Sequence, residues 1–305
     1  MRKTVLKVAL VQIGPVRGDV EGNLERVRQS LAEARRMGCE VALLPEVWST
    51  GFYPGLSARL ACRLGEGHFA AASRLSREHG LYLAGSLFER SAGEDGSGDY
   101  IYNTAHLYGP AGSLLAAYRK IHVFRHAGED RYIRSGDRPV LAELPTGTAG
   151  LAVCYDLRFP ELFRGYAAAG ASVILLPAAW PAERSSHWRL LLQARAVENQ
   201  CYMAGVNCVD AASGTGQSGE SFPDRSGGAG GSGTGHNRGE MGEAISREKG
   251  GDRRIYGGGS MLVDPWGRVL VELGDGEEVG CGEIDLDHLE EIRRAFPVLG
   301  DRRLP

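Results

Sequence analysis

The apolar residues of this chain come in short runs, each closed by a turn signal. Val5 to Ile13 ends at Gly14-Pro15, and Cys39 to Leu44 ends at Pro45. Between them, Leu24, Val27, Leu31 and Ala34 recur at helical spacing, and Gly38 follows the last turn. A brief apolar run bounded by Gly or Pro reads as a buried strand, and a 3.6-residue period reads as an amphipathic helix. The chain therefore opens as β-α-β, the unit of an α/β protein.

The same reading carries on. Phe69–His79 is expected to be helical, and Leu81–Phe88, Ile101–Tyr108 and Leu114–Lys120 to be strands, with a Gly- and acid-rich hairpin loop at Ser91–Asp99. Gly150–Cys154 and Ser172–Leu176 read as strands around a helix at Pro160–Ala169 that begins with Pro, a favoured first position. His187–Asn199 is an amphipathic helix followed by the strand Tyr202–Val206. From about Asp210 to Arg254, Gly and Ser dominate and large apolar residues almost vanish. Such a segment buries too little to offset its ordering entropy, so it reads as a flexible insertion. The patterning then resumes with strands at Gly257–Leu262, Val269–Leu273 and Glu278–Ile284 and a helix at Leu286–Phe296. Consecutive hairpins rule out simple β-α alternation. Two mixed sheets packed together with helices outside fit the order, within one domain spanning residues 1–305.

Composition narrows the function classes. With 43% hydrophobic and 24% charged residues and a net charge of −3, the chain is ordinary for a globular protein, with no basic footprint for nucleic acid. No apolar run is long enough to span a bilayer, and the first run lacks a small-residue cleavage site. The six cysteines form no CxxC pair and no Cys/His cluster at zinc spacing, so they read as reduced thiols in a cytoplasmic protein.

One cysteine stands apart. Cys154 ends a strand and is followed at once by Tyr155, Asp156, Arg158 and a Pro-initiated helix. A strand–nucleophile–helix elbow lifts a side chain clear of the sheet and surrounds it with backbone N–H groups that favour negative charge. A core thiol at a strand end is the simpler alternative. Glu46, at the mouth of an apolar strand, can accept a thiol proton if apolar walls raise its affinity for it. Lys120, at the end of another strand, can stabilise an oxyanion. For each of these two, local context alone favours a solvated loop or strand-end residue. His122 in its apolar strand reads as structural, and Glu129 lies in a polar loop.

Taken together, three blocks change this balance. Leu44-Pro45-Glu46, Tyr118-Arg119-Lys120-Ile121-His122 and Cys154-Tyr155-Asp156-Leu157-Arg158-Phe159-Pro160-Glu161 resemble, in order and separation, the signature blocks of the nitrilase superfamily of carbon–nitrogen hydrolases. The resemblance spans nearly the whole chain, and the Gly/Ser-rich insertion is its main departure. It implies a four-layer α-β-β-α sandwich and a Glu-Lys-Cys triad that needs no metal or cofactor. Glu46 would be the general base, Lys120 the oxyanion stabiliser and Cys154 the nucleophile. The Tyr155 N–H would join the oxyanion hole, and Glu129 would position Lys120. The Cys-Tyr-Asp-Leu-Arg-Phe-Pro run is similar to the branch of ω-amidases and deaminated-glutathione amidases, which implies a small carboxylate-bearing amide as substrate and a homodimer or higher homo-oligomer. Arg158 is then a candidate to bind that carboxylate, against a pairing with Asp156 or Glu161. Phe52, Tyr53 and Trp180 are candidate pocket walls. An N-carbamoyl-amino-acid amidohydrolase, a nitrilase with the same triad and a catalytically silent scaffold are the alternatives.

Overall fold

The computed structural model describes residues 4–93, 96, 98–211 and 254–303. In chain order its elements are β1 (Val5–Gln12), α1 (Val20–Arg36), β2 (Val41–Leu43), α2 (Ser57–Leu60), α3 (Gly67–His79), β3 (Tyr82–Ala92), β4 (Asp99–Tyr108), β5 (Leu114–Arg119), β6 (Leu141–Leu144), β7 (Gly147–Leu151), α4 (Pro160–Ala168), β8 (Val173–Ala178), α5 (Ser185–Asn199), β9 (Tyr202–Asn207), β10 (Met261–Val263), β11 (Val269–Glu272), β12 (Glu278–Asp285) and α6 (Leu286–Ala295). They build two six-stranded sheets, ordered β12-β1-β2-β3-β4-β5 and β11-β10-β9-β8-β7-β6. In each sheet three adjacent strands run parallel (β1-β2-β3 and β7-β8-β9), and the remaining pairings are antiparallel.

Strand periodicity explains the layers. In β1, Val8 and Leu10 point into the layer between the sheets, while Ala9 and Val11 point to the opposite face. Val41 and Leu43 of β2 join the first group, and Ala42 and Leu44 join Val27, Leu31, Phe69 and Leu75 of α1 and α3 in the second. Phe163, Trp188 and Leu192 of α4 and α5 cover the outer face of the other sheet. The result is the expected α-β-β-α sandwich. Both faces of the parallel strands are buried, which is why they read as continuous apolar runs rather than alternating ones. Helix ends follow the sequence as well. The Asp19 side chain caps α1 by accepting from Gly22 N–H, and Asp285 caps α6 by accepting from Asp287 and His288.

Three local expectations need correction. The strand expected at Gly150–Cys154 is β7 and ends at Leu151, so Cys154 sits beyond it in the 3-10 turn Cys154–Arg158. The strand expected from Gly257 begins only at Met261. The preceding glycines serve close approach instead. A Cβ on Gly257 would lie 2.2 Å from Ser185 Oγ, and Gly258 adopts a left-handed φ of +59° with the Gly274 carbonyl 2.6 Å from where its Cβ would be. β6 was not expected at all. Most of the insertion read at 210–254 lies outside the described residues, but its ends are tied together. The Asp210 carboxylate accepts from the N–H groups of Ile255 and Tyr256 at 2.9 and 3.1 Å. Among the described residues, no helix is long and apolar enough to cross a membrane, and all six cysteines are free thiols.

The inter-sheet layer carries the stability of this arrangement. Leu43 is fully buried there. Leu43→Ala is expected to lower unfolding free energy by about 2–5 kcal/mol, measured by urea denaturation. A loss well under 1 kcal/mol would mean that the layer is loosely packed at this point.

Candidate active site

The carboxyl ends of β2, β5, β7 and β8 meet along one margin of the sandwich, the usual place for a ligand crevice in parallel sheets. Just past β2, Glu46 turns away from its sheet. Its N–H donates to the Ala178 carbonyl at the end of β8 (3.3 Å), and its Oε2 accepts from Ala179 N–H at 2.8 Å. Lys120 follows β5, held by Lys120 N–H to the Asn103 carbonyl of β4 at 2.8 Å. The same Asn103 donates its Nδ2 to Glu46 Oε1 at 2.7 Å. Cys154 opens the 3-10 turn after β7 with a φ of +46°. Val47, next to Glu46, has a φ of +48°. A left-handed conformation is rare for any residue with a side chain and rarer for a β-branched one, and such strain concentrates at functional sites.

Charge gathers where these segments meet. Lys120 Nζ donates to Glu46 Oε1 at 3.0 Å and to both oxygens of Glu129 at 3.0 and 2.9 Å. Glu46, Lys120 and Glu129 are no more than 1% exposed. Glu129 is fixed in turn by the Phe124 N–H, which donates to its Oε2 at 2.6 Å. Burial alone would pull the Lys120 ammonium down, but the charges of Glu129 and Glu46 outweigh it and hold Lys120 above its ordinary value. Burial pushes the Glu129 carboxyl up against the pull of Lys120. Burial, then the negative charge of Glu46, drives the Cys154 thiol well above the ordinary thiol value, with Lys120 opposing. The resting sulfur is therefore a neutral thiol facing a carboxylate that can take its proton. The cation beside it can hold a developing oxyanion. The Tyr155 N–H lies in the first turn of its 3-10 segment, where an amide has no intrahelical acceptor.

A cavity of about 420 Å³ opens above Cys154 and Lys120. Phe52, Arg158 and Trp180, candidates from the sequence, line it together with Tyr155. Tyr53 does not line it; its ring packs under Arg17, with 3.8 Å from Cζ to ring centroid. The Arg158 guanidinium lies 4.7 Å from the Trp180 ring and forms no pair with Asp156 or Glu161, since no carboxylate among the described residues bridges to it. Its charge is disfavoured by burial and then by the neighbouring Arg184. His122 does not face the sulfur; its Nδ1 lies 2.7 Å from Asp156 Oδ1. Sequence reading missed Asn103, a polar amide in a strand that also carries Thr104 and His106 and so offers no distinct signal. It also missed Tyr256, which follows the insertion and forms a cavity wall beside the Pro181 bridge. Among the described residues no cluster of three His, Cys, Asp or Glu side chains is arranged to hold a metal.

Known proteins resemble this chain in sequence and fold. Residues 7–294 match the family described as carbon-nitrogen hydrolase. The 2-oxoglutaramate amidase of Bacillus subtilis (strain 168) is 32% identical over 265 residues, covering 87% of this chain and 85% of the relative. The omega-amidase NIT2 of Mus musculus is 30% identical, covering 98% of this chain and 96% of the relative. Among solved structures, Nit3 of Saccharomyces cerevisiae, a member of branch 10 of the nitrilase superfamily, aligns with a TM-score of 0.76 at 26% identity, covering 99% and 98% of the two chains. The chain belongs to the carbon–nitrogen hydrolase family. Within it, the chain is an amidase.

The neutral thiol makes a direct prediction. The thiolate absorbance of wild type minus Cys154→Ala is expected to stay flat from about pH 6 to about pH 8.5, where an ordinary cysteine already titrates. A rise inside that window would mean that the Cys154 sulfur rests as a thiolate.

Proposed function

We propose that this enzyme hydrolyses the terminal amide of a small carboxylate-bearing acid, of the 2-oxoglutaramate or 2-oxosuccinamate kind, with Cys154 as nucleophile, Glu46 as general base and Lys120 as oxyanion stabiliser. The observation that carries the substrate class is Arg158. It is a guanidinium in the wall of the Cys154 cavity with no carboxylate partner among the described residues, and its charge would be relieved by an incoming anion. The naming of the B. subtilis and M. musculus relatives points the same way.

Each step uses a group already in place. Glu46 takes the thiol proton as Cys154 sulfur bonds to the amide carbon, and the carbonyl π electrons move onto oxygen. Lys120 and the Tyr155 N–H hold that oxyanion, while Glu129 keeps Lys120 pointed at it. When the carbonyl reforms, the C–N bond breaks, and Glu46 returns its proton to the departing nitrogen, which leaves as ammonia. Water then gives a proton to Glu46 and its oxygen attacks the thioester. The C–S bond breaks, the acid is released and the thiol is restored. No cofactor enters this sequence, and the partner is a small amide rather than nucleic acid or membrane. Free thiols throughout the described chain fit a cytoplasmic setting, which cell fractionation would check.

Ammonia release should be selective for the two oxo-acid amides over glutamine, an N-carbamoyl amino acid and a simple nitrile, and absent in Cys154→Ala. Arg158→Gln is expected to raise KM by roughly 10-fold or more with kcat kept, as for loss of a hydrogen bond to a charged group. Turnover surviving in Cys154→Ala would remove the sulfur from the mechanism. Preference for the carbamoyl substrate or the nitrile would keep the triad and discard the substrate class.

We also propose a homodimer through the outer face of α5. Leu190 and Val197, seven apart on one face, are 65% and 51% exposed. Val197 abuts Gly267 in the turn that carries exposed Trp266, whose ring packs on that of exposed Phe296 at 6.0 Å. A contiguous apolar patch of this kind marks an association surface. Light scattering should give twice the monomer mass, and Val197→Glu should shift it toward monomer. A wild-type monomer at micromolar concentration would end the proposal.

A further inference from the structure

One fully buried carboxylate is not used by the chemistry above. Asp156 lies two residues after the nucleophile and is 0% exposed. Its Oδ2 accepts from Val153 N–H at 2.8 Å and from the Tyr118 hydroxyl at 2.9 Å. Its Oδ1 accepts from His122 N–H at 3.0 Å and faces His122 Nδ1 at 2.7 Å. A carboxylate cannot donate, so this His122 nitrogen is the protonated one. The Tyr118 oxygen also accepts from Ile121 N–H at 3.2 Å. The contacts therefore bracket Lys120 on one strand end, through residues 118, 121 and 122. On the other they reach Val153, immediately before Cys154. These two segments belong to different sheets, β5 in one and β7 in the other.

We infer that Asp156 is the positioning residue of the oxyanion site, a clamp that sets where the Lys120 ammonium stands relative to the Cys154 sulfur. The argument rests on donor count and location. Every group around Asp156 is a donor, and only a carboxylate accepts from all of them in so small a space. The clamp also fixes the Val153 N–H, one residue before the left-handed Cys154. His122, held by the same carboxylate, stacks on Phe159 at 3.8 Å, and Phe159 meets Tyr155 at 5.3 Å. The residue supplying the oxyanion N–H is thus braced from the same point. Asp156 touches no reacting atom and acts through Lys120, Cys154 and Tyr155.

This rests on the roles proposed for Cys154 and Lys120, and the test separates the two. Asp156→Asn keeps size but turns an NH2 toward donors on one side. Catalysis is read as kcat and KM. Oxyanion binding is read as the inhibition constant of succinic semialdehyde, a carboxylate-bearing aldehyde. Glu46 takes the thiol proton as the aldehyde carbon bonds to the Cys154 sulfur, and the carbonyl π electrons move onto oxygen. This gives a tetrahedral thiohemiacetal oxyanion that mimics the intermediate and becomes the neutral thiohemiacetal when Glu46 returns the proton to it. In Asp156→Asn, kcat should fall about 100-fold, as for a misplacement near 1 Å, and aldehyde affinity should fall in step. KM should move less than about twofold. Tyr118→Phe, which deletes the hydroxyl's contacts to Asp156 and to the Ile121 N–H, should shift kcat and aldehyde affinity together by about tenfold, and it decides the matter if the Asn variant does not fold. Unchanged kcat and aldehyde affinity in the folded variants would overturn the inference. So would a rise in KM with kcat preserved. Aldehyde inhibition that is equally strong in Cys154→Ala would instead overturn the nucleophile assignment on which it rests.

Discussion

The Lys120 ammonium buried between Glu46 and Glu129 organises the rest of the molecule. A lone ammonium at 1% exposure would lose its proton or unfold its surroundings, because burying a charge without a partner costs far more than a domain's net stability. Two carboxylates around it remove that cost and create a second, since two negative charges now face one positive charge. Burial is the main cause of the raised Cys154 thiol, and the Glu46 charge adds to it against the pull of Lys120, so the same cluster keeps that sulfur protonated at rest. Each carboxylate needs its own donors to stay in place. Asn103 and the Ala179 N–H serve Glu46, and the Phe124 N–H serves Glu129. Those donors come from β4, from the end of β8 and from the loop after β5, so the electrostatics of one cation recruit backbone from both sheets.

How the sandwich came to be legible follows from the same layering. The runs Val5–Ile13 and Cys39–Leu44 gave strands, and the period of Leu24, Val27, Leu31 and Ala34 gave α1, because each signal is local. The face that each strand turns to its partner sheet was not legible. With Val8 and Ala9 both buried, one against the other sheet and one against helices, the sequence shows no alternation to read. β6 escaped notice because Leu-Ala-Glu-Leu is four residues long and pairs only as an edge strand. The late start of β10 reflects glycines spent on close packing against Ser185 and Gly274 rather than on pairing.

The site divides along a similar line. Glu46, Lys120 and Cys154 are legible as candidates because each lies in a block of sequence with its own motif, and the motifs are specific only as a set. Tyr118 and Asp156 stand in the same blocks, but their contact is made across folded space, where Tyr118 reaches a carboxylate just past the other sheet, and Asn103 lies outside the blocks altogether. Tyr53 shows the reverse error. It adjoins Phe52, which lines the cavity, yet its own side chain turns toward Arg17. Neighbours in sequence share a backbone, not a direction.

The division of the site between the sheets has a bearing on biosynthesis. Glu46 and Lys120 stand at the end of the first sheet, and Cys154 stands at the end of the second. The Glu46 carboxyl and the Lys120 ammonium leave the ribosome before the Cys154 sulfur. No partial chain confined to one sheet holds a complete set. These three groups come together only where the two sheets close on each other, so assembly of the site is coupled to folding of the whole sandwich.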